Sequence, residues 1–492
     1  MPDFLKRFDD SGRTPRDIQV DGLRWIDENW GARNIAGNFP VGSGKSAMLR
    51  AIQIVTGGHI QNPSNVLIDQ NIETYPNVNF LKGKTHYGCT STGGMISCQD
   101  WQEECKETPC LSCPYTEAKV SALHEPTFFN PMSYYYLTQD GRFQKPNVLM
   151  VDEAHQLPSM ALMLAGTRLR RSQYQFPNDV VNERELAKFL LDLEDRLRRL
   201  QVLYKGDAKR LKEVVRDLTS VRLVRLGIME NPQNYAIWLE KGTYRGRPDT
   251  FLNLKPVRPP AYLMRQLTSS NKLIVMSGTL FPTDLQDLFG DTPYRFYDAP
   301  SPIPVANRTV HYTPAPFKMN ARTDPETAAK YLQRIMKEES SEGQTPNTII
   351  HVSYAWSKKL EPYLAPLGWR FNTSENKAEV LEDFKRNGGI FVAAGCAEGI
   401  DLKGDLCRLN IIPWLLFPNR GDPVVAKRAT LADGEEWYLL ETMKAVIQQT
   451  GRSTRDLTDS SKIRICDNNF RWVYQRVKKH LPKSFCESVV GV

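Results

Sequence analysis

Two glycines, a lysine and a serine stand together in Phe39-Pro-Val-Gly-Ser-Gly-Lys-Ser46. Gly42 and Gly44, with Ser43 between them, can turn backbone N–H groups toward phosphate oxygens without a side-chain clash. Lys45 would reach the β- and γ-phosphates of a nucleotide, and Ser46 would hold Mg²⁺. The strict form of such a loop has glycine where this chain has Phe39. Much further along lies Asp152-Glu-Ala-His155. Asp152 would bind Mg²⁺ through water, and Glu153 would polarise an attacking water. A third group, Gln448-Gln-Thr-Gly-Arg-Ser-Thr-Arg455, places Arg452 and Arg455 three apart, on one face if the segment is helical. Two such cations could neutralise charge developing on a γ-phosphate.

Five of the 9 cysteines (Cys89, Cys98, Cys105, Cys110 and Cys113) fall between the phosphate loop and the acidic box. In a reducing compartment such a cluster reads as metal ligands rather than disulfides. Cys110-Leu-Ser-Cys113 is a CxxC, so Cys98 and Cys105 could complete a tetrahedral zinc site. An iron–sulfur cluster also needs four thiolates. Cys396, Cys407, Cys466 and Cys486 are scattered and read as buried thiols.

The loop must follow a strand and open a helix. Asn34 to Phe39 supplies the strand and Ser46 to Val55 the helix, after an amphipathic helix over 16–30. Ser64 to Asp69, Asn147 to Val151 and Lys272 to Met276 read as further buried parallel strands. Leu186, Phe189, Leu190, Leu193, Leu197 and Leu200 follow helical spacing, as do Leu211, Val214, Val215 and Leu218. Residues 160–262 therefore read as a small helical insert. A second α/β half begins near 300, with strands at Asn347–Val352, Gly389–Ala394 and Leu409–Ile412 and helices at Ala328–Glu338 and Ala378–Arg386.

The 492 residues are too many for one core, and three or four domains are expected. At 41% apolar and 24% charged, the composition is that of a soluble globular protein. The run Ile411 to Phe417 is short and broken by Pro413, so no membrane span is expected. The N-terminus lacks the apolar core of a signal peptide, which makes the cytoplasm the expected location. A net charge of +8 suits a polyanionic partner.

The order of motifs resembles the XPD/DinG group of superfamily 2 helicases, whose members carry an iron–sulfur cluster. Phe39 to Ser46 looks like that family's Walker A loop, including the departure at its first position. Asn62 to Gln70 is similar to motif Ia and Ser277-Gly-Thr-Leu280 to motif III. Ser301-Pro-Ile-Pro-Val-Ala-Asn-Arg308 resembles a narrower family hallmark. Cys396-Ala-Glu-Gly-Ile-Asp401 with Lys403-Gly404 resembles motif V, and Gln448 to Arg455 motif VI. The likeness spans roughly residues 14 to 475 and fits a compact bacterial or phage-like member.

The resemblance implies an α/β fold: two RecA-like domains, with a cysteine-rich cluster insert and a small helical arch insert in the first. The first RecA-like domain would comprise residues 1–84, 119–160 and 265–290. The cluster insert would span 85–118, the arch 161–264 and the second RecA-like domain 291–492. An ATP-dependent DNA helicase is implied, moving 5′-to-3′ on single-stranded DNA and opening forked DNA in a bacterial or phage-infected cytoplasm. Its cofactors would be ATP, Mg²⁺ and a [4Fe-4S] cluster. Gln19 with Arg16 resembles the glutamine motif that contacts adenine. Gln448 and Asp401 would join the nucleotide site, and Glu398 with Asp401 would couple it to DNA. Lys82 to Cys89 resembles the approach to the first cluster ligand and Cys113-Pro-Tyr115 the segment at the last. Cys105 and Cys110 would fill the middle places, with Cys98 the alternative.

Tyr134, Tyr135 and Tyr136, with Phe128 and Phe129, could stack on bases or form core. Arg168, Arg170 and Arg171, and Arg196, Arg198 and Arg199, could touch phosphates or be a solvated helix face. Two rival readings use the same motifs: an RNA-directed or protein-remodelling ATPase, and a nucleotide-switched clamp on single-stranded DNA.

Overall fold

The computed structural model describes residues 3–8, 14–75, 77–90, 94–95, 97, 113–320, 322–341, 344–396, 402, 404–454 and 457–492. The short apolar runs form buried parallel strands. In spatial order the first sheet runs Arg295–Asp298, Asn34–Asn38, Lys272–Ser277, Val148–Val151, His59–Gln61, Thr127–Phe129 and Asn79–Leu81. All its pairs are parallel. Successive residues point to opposite faces, as the pleat dictates. Ala36, Leu149, Val151 and Val275 enter one core, while Ile35, Met150 and Ile274 enter the other. The strands that end at the phosphate loop, at Ser277 and at the acidic box are consecutive neighbours, so their tips meet.

Phe39 is fully buried where the strict loop has glycine. A Cβ on Gly37 would lie 2.5 Å from the Phe39 ring, and one on Gly22 2.7 Å from it. The ring thus occupies a slot left by two glycines, and Tyr297 packs against it at 5.6 Å.

The second sheet is also parallel, in the order Arg370–Phe371, Ile390–Ala394, Thr348–Val352, Leu409–Ile412, Lys462–Ile465, Val310–Tyr312 and Val489–Val490. The helices expected near 328–338 and 378–386 are Pro325–Glu339 and Lys377–Asn387. The two lobes share a core. Phe281, which follows the first lobe's strand Lys272–Ser277, packs with Val310, Ile412, Leu440 and Met443 of the second. Three residues on, Asp284 accepts from the Phe281 N–H at 2.9 Å and pairs with Lys444 of the second lobe at 2.7 Å, both side chains buried. Burial opposes a charge on Lys444, but Asp284 and Glu441 outweigh it and hold its pKa above the usual value.

Three expectations need correction. Ser64 to Asp69 is not a strand: Ser64 caps a helix, Asn65–Thr74, by accepting from the Leu67 N–H. The insert is not wholly helical. Beside the helices Glu183–Leu203 and Ala208–Glu230 it carries an antiparallel sheet of Thr167–Arg170, Arg247–Pro256 and Tyr235–Tyr244. Its long hairpin closes through Arg245 and Gly246, both at positive φ, the geometry of a two-residue primed turn. The first lobe does not end at 290, because Arg295–Asp298 pairs with Asn34–Asn38. Tyr134, Tyr135 and Tyr136 lie on the helix Pro131–Thr138, where Tyr134 and Tyr135 are core and Tyr136 is exposed.

Gly37→Ala should destabilise the fold by about 1–3 kcal/mol through overpacking against Phe39. In a Phe39→Ala background the same change should cost little. Urea midpoints of the two singles and the double check the coupling.

Candidate nucleotide site

Gly42 and Gly44 have φ of 81° and 78°, a region that side chains disfavour. The loop they shape is held from the first helix, Asp17–Glu28. Gln19 donates to the Gly44 carbonyl at 3.1 Å and accepts from the Arg16 N–H at 2.8 Å, and the Arg16 guanidinium donates to the Gly42 carbonyl. A Cβ on Gly44 would collide with Gln19. Gln19 is therefore a brace for the loop here. Ser43 is buried, its Oγ without a hydrogen-bond partner.

Lys45 lies 3.3 Å from Glu153 and donates to the Phe39 carbonyl at 3.4 Å. Ser46 Oγ donates to Asp152 at 3.0 Å. The two oxygen donors expected to hold Mg²⁺ are thus side by side, and hard oxygen ligands suit that ion. Burial raises the pKa of Asp152, and the Glu153 charge pushes it further. Burial acts on Glu153 in the same sense, but the Lys45 ammonium overrides it and holds Glu153 ionised. Glu153 sits at φ 45°, ψ 45°, a left-handed backbone that is strained for a side-chain-bearing residue.

A relay crosses the cleft from the second lobe. Gln448 Nε2 contacts His155 Nε2 at 2.9 Å, His155 Nδ1 contacts Ser277 Oγ at 2.6 Å, and Ser277 Oγ donates to Glu153 at 3.3 Å. With the Gln448 amide as donor, His155 Nε2 accepts and Nδ1–H donates to Ser277. Every proton is then placed. This links the second lobe to the carboxylate that would act on water.

Arg452 follows the end of the helix Gly434–Thr450, so the one-helical-face reading fails for it. It lines the same cleft of about 660 Å³ as Lys45, Glu153 and Gln448. Motif VI approaches the loop closely here: a Cβ on Gly451 would lie 3.0 Å from Val41. Arg455, Asp401 and Glu398 lie outside the described residues, as do Cys98, Cys105 and Cys110. Cys89 and Cys113 are buried. Two residues before the first and two after the second, the Tyr87 and Tyr115 rings meet at 5.6 Å, which closes the chain into a neck at this point.

Sequence reasoning missed that Pro63, Ser64, Leu67 and Gln70 line this cleft. The Ser64 cap was the available signal. It also missed His351, which is buried in the strand Thr348–Val352, has neither ring nitrogen hydrogen-bonded, and lies within electrostatic reach of Arg452. Nothing but an apolar run marked that position.

The Arg198 guanidinium is committed within the insert. It pairs with buried Glu194, as Arg225 does, tying the two long helices together.

Residues 327–488 match the Helicase C-terminal domain family. A Regulator of telomere elongation helicase 1 homolog from Drosophila sechellia is 33% identical over 114 residues, which are 20% of this chain and 12% of that protein. The ATP-dependent DNA helicase YoaA from Haemophilus influenzae is 30% identical over 149 residues, 28% of this chain and 23% of that one. The chain thus matches only a small part of the length of these relatives. A solved structure of an XPD helicase aligns with TM-score 0.59 at 15% identity, covering 97% of this chain and 100% of that one. The S. tokodaii Xpd4 structure aligns at 0.55 and 14%, covering 94% and 98%. These two show the fold.

Burial holds the His351 pKa down to about 3, and the Arg452 cation lowers it too. The unfolded chain would bind the proton near pH 6.5, so this histidine removes stability as pH falls from there toward 3. Between pH 7.5 and pH 5 the wild type should lose about 2 kcal/mol more than His351→Leu, read from urea midpoints.

Proposed function

We propose, for a chain whose residues 327–488 belong to the helicase C-terminal domain family and whose length follows the XPD fold, that it is an ATP-dependent DNA helicase. The observation that carries this reading is the single cleft where Lys45, Glu153, Gln448 and Arg452 meet across two parallel-sheet lobes. Motors of this kind work by alternately closing and opening such a cleft.

In the proposed mechanism Lys45 leaves Glu153 to bind the β- and γ-phosphates, and the loop amides shaped by Gly42 and Gly44 cradle them. Ser46 and Asp152 would hold Mg²⁺, which would supply neutralisation of phosphate charge. Glu153 orients and polarises the attacking water. Arg452, with Arg455, stabilises charge on the γ-phosphate as the lobes close. Gln448, reaching His155, reports lobe position to Glu153 through Ser277. Asp401 and Gln19 complete the nucleotide contacts in this reading, and Asp401 with Glu398 couples them to DNA. Single-stranded and forked DNA would be the substrates, with 5′-to-3′ movement expected from the family resemblance.

The cysteine-rich segment would hold a [4Fe-4S] cluster through Cys89, Cys105, Cys110 and Cys113, with Cys98 as alternative ligand. Two buried cysteines at a closed neck support this assignment. Such a cluster supplies a rigid cross-link that shapes a small insert.

Lys45→Ala should lower ATP hydrolysis about 10²-fold or more while DNA binding persists. Normal turnover in that variant would sink the assignment. Duplexes with 5′ or 3′ tails test direction: unwinding from the 5′ tail alone is expected. Anaerobically purified protein should contain about four irons with matching sulfide, whereas a single zinc would replace the cluster reading.

A further inference from the structure

The antiparallel sheet of the insert has two unlike faces. Leu169, Tyr235, Leu252 and Leu254 point into the core formed with the long helices. The alternate residues of the same strands point the other way, and among them are Arg168, Arg170, Trp238, Tyr244, Phe251 and Lys255. Here cations lie on rings. The Arg168 guanidinium carbon is 3.8 Å from the Phe251 ring centre, and that of Arg170 is 3.6 Å from the Tyr244 ring centre. Lys255 stands 5.8 Å from the Trp238 ring.

We propose that this outer sheet face is a docking platform for single-stranded DNA. The proposal rests on the helicase reading for its choice of polynucleotide. Three physical arguments carry it. A guanidinium held over a ring is already ordered, and it offers N–H donors to phosphates and its outward side to a base. Glu240 at 3.2 Å and Gln173 at 2.6 Å engage Arg168 and Arg170 at their edges, which fixes them further.

The charge is one-sided. The outer face and the turn carry Arg168, Arg170, Arg245, Arg247 and Lys255 against Glu240 and Asp249. Asp249 is already bonded to Ser172, whose Oγ donates to it at 2.5 Å. A polyanion is the complementary partner.

The third argument is length. From Trp238 to Tyr244 the face runs about 20 Å along one strand, enough for several stacked, unpaired bases. A base that stacks on the outer face of a guanidinium must have its own face free, which paired and stacked bases in a duplex do not, so the single strand is the form selected. The insert is spliced between the strands Val148–Val151 and Lys272–Ser277, both of which end at the nucleotide cleft. A strand held on the platform is thereby held by the lobe that carries Lys45 and Glu153.

The test uses the full chain and a fluorescent oligothymidine without nucleotide. Arg168→Glu combined with Arg170→Glu should weaken binding at least tenfold and flatten the slope of log Kd against log salt by about 1.4, the loss of two phosphate contacts. Arg168→Lys with Arg170→Lys keeps the charge and should keep the slope, which separates lost contacts from lost folding. In the wild type, photocross-linking to an iodouracil oligonucleotide should label Tyr244 or Trp238. Unchanged affinity and slope in the glutamate variant, or cross-links that avoid the sheet, would overturn the platform alone. A wild-type chain that binds no single-stranded DNA would overturn the platform and the helicase reading together.

Discussion

Two adjacent carboxylates, buried Asp152 and half-buried Glu153, sit at the tip of one parallel strand, and the neighbourhood is organised around that charge. Lys45 neutralises Glu153, Ser46 hydrogen-bonds Asp152, and Ser277 satisfies the remaining oxygen of Glu153. Each partner sits at the end of a neighbouring strand or opens the helix after it. The strand order of the first sheet is therefore also an electrostatic arrangement. A buried acid pair without these partners would shed a charge by taking up a proton. With them, one carboxylate is kept ionised and the other is left available to a divalent cation.

The second lobe is joined to this centre at two depths. At the cleft, Gln448 touches His155 through a polar contact that water could replace on opening. Below it, Phe281 and the Asp284–Lys444 pair form a dry, hydrogen-bonded joint. Breaking a buried ion pair costs more than breaking one neutral hydrogen bond. The joint behind the nucleotide is therefore the stronger of the two contacts between the lobes. The insert also reaches the second lobe, where Arg258 pairs with Asp433 alongside Arg428.

Much of this was legible in the chain. Buried parallel strands that are continuous apolar runs were placed within a residue or two, six of the fourteen described, and the phosphate loop announces itself through glycines and a lysine; short or polar strands such as His59–Gln61 and Lys462–Ile465 gave no such signal. Ser64 to Asp69 misled because an apolar run cannot by itself distinguish helix from strand, and the capping serine decided it. The hairpin of the insert was hidden because its outer face carries arginines, lysines and aromatics, which blur the alternation of a half-buried strand. Arg452 was read onto a helix from its spacing with Arg455, but the helix stops at Thr450. Contacts between distant segments, such as Lys444 with Asp284 or Phe39 with Gly22, carry no local signature.

The shared joint also bears on how the chain is made. Phe281 and Asp284 leave the ribosome long before the helix that carries Lys444. Until residues near 444 appear, the first lobe displays an apolar ring and an uncompensated acid at its edge. Domains usually complete themselves in order of synthesis. Here the earlier lobe must wait for the later one, so the nascent chain carries an exposed sticky edge through most of its second half. A chaperone that shields such an edge, or a pause in translation placed after the helix Gly434–Thr450, would raise the yield of folded protein.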